Sequence, residues 1–327
     1  MKSSLAPRHG RLYQRMAADA AAHTPRPGPV LAAPITEADL AGLPAAAQRY
    51  LRFMAVPGRP PDWSFAAHFS GRFRLRPRLP WLRCEAWQYS TAPAVTRLFH
   101  LRLTVAGLLP MTGRDAYCGG HGRMSGKLAG LVPVADGAGP EYDVSELVTY
   151  LNDAVLLAPS MLLALPVTWT AVNDSCFGLA LTDAGHRVTA RVFVDGRGAP
   201  TEFSTEDRWC DLPSGLVRTR WSTPVRGWMK INGRWQPRWG AAIWHLAGGP
   251  FRYAEFRFTP GAGRYNVTPA ELSPPEQGGQ PSGYALLPGL EPATVMMTRN
   301  ILPGGQPPAG RPAARHQEPA AASGSRP

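Results

Sequence analysis

The chain has 327 residues, 44% of them hydrophobic, with a formal charge of +12. This is enough apolar material for a packed core, and the length allows one or two domains. No uninterrupted apolar run is long enough to span a membrane, which excludes an integral helical membrane protein.

All but three of the 35 basic residues are arginine; the lysines are Lys2, Lys127 and Lys230. The arginines are scattered rather than gathered in a run or a helical stripe. Together with the abundance of Ala, Gly and Pro, that fits GC-rich coding better than a dedicated nucleic-acid surface. No specific nucleic acid is expected. Arg8, Arg11 and Arg15 share one side of a short N-terminal stretch, the best candidate for weak peripheral contact with an anionic membrane. Met1–Ala22 starts basic but runs on through Arg15 and Asp19 without an apolar stretch, so no leader is expected. Cys84, Cys118, Cys176 and Cys210 form no CxxC pair, and no histidine stands at zinc-finger spacing. The expectation is a cytoplasmic protein with free thiols, no metal and no cofactor. Oligomeric state is left open.

In chain order, residues 1–34 read as a disordered lead-in rich in Ala, Pro and Arg. A single domain is expected over residues 35–267, with helices near 44–55 and 144–165, and a disordered Pro/Gly-rich tail over 268–327, in which Met296–Ile301 is the one apolar spot. In the first helix Ala47, Tyr50, Leu51 and Met54 recur at helical spacing, and Pro57-Gly58 ends it. Ser64–Arg76 alternates as a strand, and Trp81–Ser90, Thr96–Val105 and Gly113–Cys118 continue the pattern. The glycines of Gly119–Gly130 lack the Gly-Lys-Ser/Thr ending of a phosphate loop and point to bulges or close backbone approach instead. The second helix carries Leu147, Val148, Leu151, Val155 and Leu162, with Asp143 or Ser145 as a cap. Strands then follow at Val167–Asn173, Cys176–Thr182, His186–Val194, Thr201–Asp211, Gly215–Thr223, Trp228–Pro237, Gly240–Leu246 and Phe251–Thr259. No βα alternation occurs, so the class is mainly β with a few helices and an antiparallel sheet.

Several short motifs then carry a resemblance. They are Asp115-Ala-Tyr117, Gly120-His-Gly122-Arg-Met124, Lys127-Leu-Ala-Gly130, Asp143-Val-Ser-Glu146-Leu147, Tyr150-Leu151, Trp169, Glu206-Asp207-Arg208, Trp221, and Trp244 followed by Phe251-Arg-Tyr253-Ala-Glu255. Over about residues 43–266 this order resembles an uncharacterised bacterial domain-of-unknown-function family, number 6544. The resemblance implies a curved antiparallel sheet, a half-barrel like that of lipoprotein carriers, wrapped around central helices. No activity comes with it. Asn152-Asp153 depart from the family's Glu after Tyr-Leu, which puts a polar role for that corner in doubt.

Candidate chemistry rests on strands. Glu85 shares a face with Trp87 and Tyr89, and Glu255 shares one with Phe251 and Tyr253. Such mixed faces suit an aromatic-lined polar lumen, with Glu85, Trp87, Asp115, Tyr117, Trp221, Trp244, Tyr253 and Glu255 as candidate ligand-binding residues. The leading reading is non-catalytic binding of an apolar or amphiphilic small molecule. The alternatives are an enzyme using strand carboxylates as acid and base, and an interaction protein tethered by its basic N-terminal segment. No nucleophile elbow or HExxH motif is present, so the balance leans away from catalysis. In Thr201–Asp211, alternation places Asp207 inward under Phe203 and Trp209. There it needs a partner such as Arg218, Arg220 or backbone N–H groups, whereas Arg208 is expected at the surface.

Overall fold

The computed structural model describes residues 8–24, 33–105 and 107–272. Sixteen strands and three α-helices follow in chain order: α1 (Arg8–His23), α2 (Ala45–Phe53), β1 (Ser64–Phe73), β2 (Leu82–Thr91), β3 (Thr96–Val105), β4 (Leu109–Cys118), β5 (His121–Leu128), β6 (Val132–Ala138), α3 (Pro140–Leu157), β7 (Val167–Asn173), β8 (Cys176–Asp183), β9 (His186–Val194), β10 (Pro200–Thr205), β11 (Trp209–Leu212), β12 (Gly215–Arg218), β13 (Trp221–Ile231), β14 (Arg234–Leu246), β15 (Gly249–Phe258) and the two-residue β16 (Arg264–Tyr265). The expected antiparallel, mainly β class holds. One sheet runs β6-β5-β4-β3-β2-β1-β15-β14-β13-β10-β9-β8-β7, with β16 also on β1 and β11-β12 as a separate ribbon. The centre of the sheet is closed by the last long strand, β15, pairing with the first, β1.

Helix α3 touches β3, β4, β5 and β6 on one arm of the sheet and β9, β10 and β14 on the other. A sheet reaching one helix from both arms is curved, and α3 sits in its concavity. Leu147, Val148, Leu151, Ala154 and Val155 of α3 are buried in the main core with Phe177, Val188, Phe203 and Trp221. Gly122 of β5 lies so close to the Tyr142 carbonyl that a Cβ would collide with it, the close approach expected of that glycine-rich stretch.

The lead-in expected over residues 1–34 is corrected at its centre. Residues 8–23 form α1, which buries Tyr13, Met16 and Ala20 on the outer face of the sheet against Trp87, Tyr89, Leu98 and Ala116. Their spacing of three and four is a helical apolar stripe, narrow because the residues between are alanine and polar. Helix α1 is therefore part of the fold rather than a free tether, and Arg15 remains exposed. The tail beyond residue 272, including Met296–Ile301, lies outside the described residues. Among them no helix is long and apolar enough to cross a membrane.

Two strand expectations also change. The glycine-rich stretch is itself strand β5, followed by β6 at the sheet's edge, the position in a sheet that tolerates a proline such as Pro133. The single strand expected over Trp228–Pro237 is two paired strand ends folded at a turn: Asn232 and Gly233 take φ of 49° and 77°, the Asn-Gly hairpin geometry joining β13 to β14, and Trp228 lies opposite Pro237.

Candidate functional site

The inner face of the sheet buries ionisable groups beneath α3. Asp143, Glu146, Tyr150 and Asp153 recur at three- and four-residue spacing, one stripe of the helix aimed at β2, β3 and β5. Asp143 accepts a hydrogen bond from the Gly122 N–H at 2.6 Å, so it ties helix to strand rather than capping its own first turn. Ser145 likewise accepts the Trp209 N–H at 3.0 Å. Arg97 of β3, in phase with Phe99, Leu101 and Leu103, donates from Nη1 to Glu146 at 2.9 Å and from Nε to Asp153 at 2.7 Å. Gln88 of β2 donates to Asp153 at 2.7 Å. Asn152 donates to Asp153 at 3.0 Å and accepts from the Thr223 hydroxyl. The departure at Asn152-Asp153 thus forms a buried polar corner, so the doubt about its polar role is overturned.

A second arginine completes the cluster. Arg208 is 9% exposed, with its guanidinium 4.3 Å from the Trp221 ring and 5.0 Å from the Trp244 ring. Its Nη1 donates to the Tyr253 hydroxyl at 3.0 Å, which also accepts the Trp221 indole N–H at 3.1 Å. Its Nη2 lies 4.0 Å from Glu146. The expected surface position of Arg208 is therefore wrong. Strand β10 stops at Thr205, so strict alternation does not carry through Glu206–Arg208. Asp207 does hold to the expectation: it accepts from the Thr189 N–H at 2.7 Å and its hydroxyl at 2.6 Å, and pairs with Arg218.

Asp115 of β4 stands beside these groups. Burial raises its pKa, while Arg97 and Arg208 pull it down through space. No hydrogen bond among the described residues reaches its carboxylate. Burial raises the Glu146 carboxyl too, and the nearby Asp115 charge adds to the rise. The two carboxyls titrate as a pair. The Arg208 Nε is buried without a hydrogen-bond partner. The cluster thus holds an unused acceptor and an unused donor.

An aromatic chain links this cluster to an apolar strip on β1–β4 and β15. Arg97 lies 5.0 Å from Phe99, Phe99 meets Phe256 edge-on at 6.2 Å, and Phe256 meets Phe69 at 5.9 Å. Phe73 meets Tyr253 edge-on at 5.3 Å. Phe69, Phe73, Leu82, Met111 and Phe256 are half-buried over Cys84, Ala86, Phe99, Leu101 and Leu103.

Of the eight expected ligand-binding residues, Asp115, Trp221, Trp244 and Tyr253 meet at this cluster. Trp221 and Trp244 are buried, so they form the wall behind Arg208 rather than an open lining. Tyr117 is fully buried and donates to Asp183 at 2.7 Å, away from the cluster. Trp87 lies on the opposite face, beneath α1, with His68 at 4.8 Å. Glu85 shares that outer face, opposite Arg102 in the β2–β3 register. Glu255 is paired outside the concavity with Arg72 at 2.8 Å and Arg252 at 3.0 Å, which hold its pKa low against the upward push of burial. It does not share a face with Tyr253 because the β14–β15 register slips between Ala242 and Ile243, leaving Tyr253 as an extra residue. A bulge of this kind flips every later side chain to the other face. Reading the sequence for strand carboxylates missed Glu146, Arg97 and Arg208. The first two carried a signal: a cation in the apolar phase of a strand, and an acidic stripe on a helix otherwise suited to a core.

An antiparallel sheet closed on a helix over a buried ion cluster is the class these observations define. The model of a family of unknown function (DUF6544) matches residues 33–256, and the chain belongs to that family. No curated protein matches. Among solved structures, a LolA superfamily protein from Nitrosomonas europaea is similar at 12% identity and a TM-score of 0.38, covering 69% of this chain and 96% of that one.

Proposed function

We propose that the concave face binds an apolar or amphiphilic small molecule without transforming it. The observation that carries this reading is the buried, unpartnered Arg208 Nε at the end of an apolar strip, with the half-buried Asp115 carboxylate near it. Buried polar groups in folded proteins are almost always satisfied, so the buried Arg208 Nε without a partner, near a half-buried carboxylate that accepts no hydrogen bond from the described residues, marks a place for a polar head. A hydroxyl or amide head would accept from Arg208 and donate to Asp115. The chain of the ligand would lie along Phe73, Met111 and Phe256. The buried tryptophans take no direct part in this reading.

Native mass spectrometry of the purified full chain, followed by titration with a medium-chain monoacylglycerol, tests it. A co-purified amphiphile or saturable binding is expected, with Met111→Asp and Arg208→Met each weakening affinity by about tenfold or more. Absence of both, in protein whose melting curve shows it folded, removes the reading.

A second reading has its own observation, the raised pKa values of Glu146 and Asp115. Two carboxyls sharing a proton can serve as acid and base. If a bound amphiphile is turned over, and Glu146→Gln stops turnover while binding persists, catalysis replaces carriage.

A further inference from the structure

Among the described residues, nine large hydrophobic side chains are exposed, and seven of them crowd one end of the sheet: Leu75, Leu79, Leu108, Leu109, Leu131, Val132 and Val134. They sit on or beside three connections, β1–β2, β3–β4 and β5–β6. The strand register aligns these along one edge, through Phe73 with Leu82, Val105 with Leu109 and Leu128 with Val132. Leu108 and Leu131, at two of the tips, are each 83% exposed. A single exposed leucine is ordinary, but a row of them along one edge is a contact surface.

The turns hold these side chains outward. Gly107 takes φ of 73°, and Ala129 and Gly130 take 51° and 77°, the left-handed backbone that tight turns use. Trp81 stands at the same end, half-buried, with the Arg72 and Arg74 guanidiniums each 4.7 Å from its ring.

The connecting segments themselves carry charge of one sign. Residues 74–81, 106–111 and 128–134 contain no Asp or Glu, while Arg74, Arg76 and Arg78 all lie in the first of these segments. Arg76 and Arg78 are exposed. Apolar tips beside arginines, with an aromatic ring between them, match the layered chemistry of a bilayer surface: acyl chains for the leucines, interface for the tryptophan, phosphates for the arginines.

We infer that the β1–β2, β3–β4 and β5–β6 tips dock this protein onto an anionic lipid surface. This surface differs from the N-terminal arginines in both place and composition. It does not rest on the amphiphile reading, although Phe73, Leu82 and Met111 lie at the same end of the strands. The apolar strip would therefore open towards the membrane.

Flotation of the full chain with vesicles tests this without any added ligand. Binding is expected to phosphatidylcholine mixed with phosphatidylglycerol and to be much weaker with phosphatidylcholine alone. The double variant Leu108→Asp/Leu131→Asp should lower partitioning by more than about tenfold. Arg78→Glu should weaken it by a smaller factor and reduce its salt dependence. All three side chains are exposed, so circular dichroism should be unchanged. Equal binding to both vesicle types, or binding that survives the double variant, overturns the inference. So does binding that is lost only when residues 273–327 are removed. If the wild type ignores vesicles but forms a dimer that the double variant dissociates, the edge is a self-association surface and the inference is also overturned.

Discussion

Under α1, on the outer face of the sheet, Asp19 receives His100 at 2.9 Å and two hydrogen bonds from Arg114 at 2.6 and 2.8 Å. Burial pushes its pKa up, but the bonds from His100 and Arg114 outweigh that and hold it well below the usual carboxylate range. Under α3, on the inner face of the same sheet, burial wins, and Glu146 and Asp115 are pushed upward despite Arg97 and Arg208. The two clusters use the same residue types. The difference is matching. The outer carboxylate is satisfied by its neighbours, so it fastens a helix. The inner cluster sets Asp115, Glu146 and Asp153 against Arg97 and Arg208, and leaves Asp115 and the Arg208 Nε unmatched. Closed clusters fix structure, whereas open ones leave capacity for a ligand or a proton.

The sharpest way to break this comparison is to remove a charge from each face. Arg97 is 3% exposed and serves two carboxylates. Arg97→Ala should cost about 3–5 kcal/mol, because Glu146 and Asp153 are left buried without their cation. Asp207→Ala should cost less, about 2 kcal/mol, since its Arg218 partner is mostly solvent-exposed and only the Thr189 bonds are lost in full. Asp19→Ala should cost about 1–2 kcal/mol and act locally. It should loosen α1, raising hydrogen exchange in residues 13–20 while leaving α3 protected. Denaturant melts and exchange on the three variants give the ranking. An Arg97→Ala loss no larger than that of Asp19→Ala would show that the inner cluster is hydrated and that its charges are not held dry.

The alternation of His186–Val194 made that strand legible as written, because period-two burial leaves little freedom. What failed is where that periodicity is interrupted. The bulge at Tyr253 reversed the face of Glu255. The end of β10 at Thr205 turned Arg208 inward. Asn232-Gly233 was a hairpin signal overrun by flanking tryptophans. The α1 stripe, Tyr13, Met16 and Ala20, is narrow enough to read as composition rather than pattern. The site suffered most, because its ions come from β3, β4, α3 and the β10–β11 connection. Their convergence depends on the curvature of the sheet, which no local spacing encodes. The acidic stripe on α3 and Arg97 in the apolar phase of β3 were the parts visible in one dimension.

The smallest expected effect, and the most specific to the inner cluster, is a pH dependence of stability. Glu146 has a folded-state pKa raised from the ordinary value of 4.5 towards neutrality by burial and by Asp115. A carboxyl raised on folding binds more protons in the folded state than in the unfolded state within the window between its two pKa values. Stability from this group is therefore greatest at the acid end and falls as pH rises through that window, from about 4.5 to about 7. Asp19 has the opposite sign: its pKa is lowered, so its contribution is intact above about 4 and is lost only in stronger acid. The windows barely overlap, and the two faces can be titrated separately. Urea melts at intervals from pH 5 to pH 8 should show a decline in the wild type that Glu146→Gln flattens by about 1 kcal/mol, while Asp19→Asn leaves the slope untouched. Histidines also titrate in this range, and burial pushes His245 down, which makes stability rise with pH. The comparison is therefore between wild type and Glu146→Gln, in which every histidine is common to both. Parallel curves for the two proteins would mean that Glu146 stays ionised beneath α3, paired by Arg97 and Arg208 as fully as Asp19 is paired by Arg114. The contrast between the two faces would then disappear.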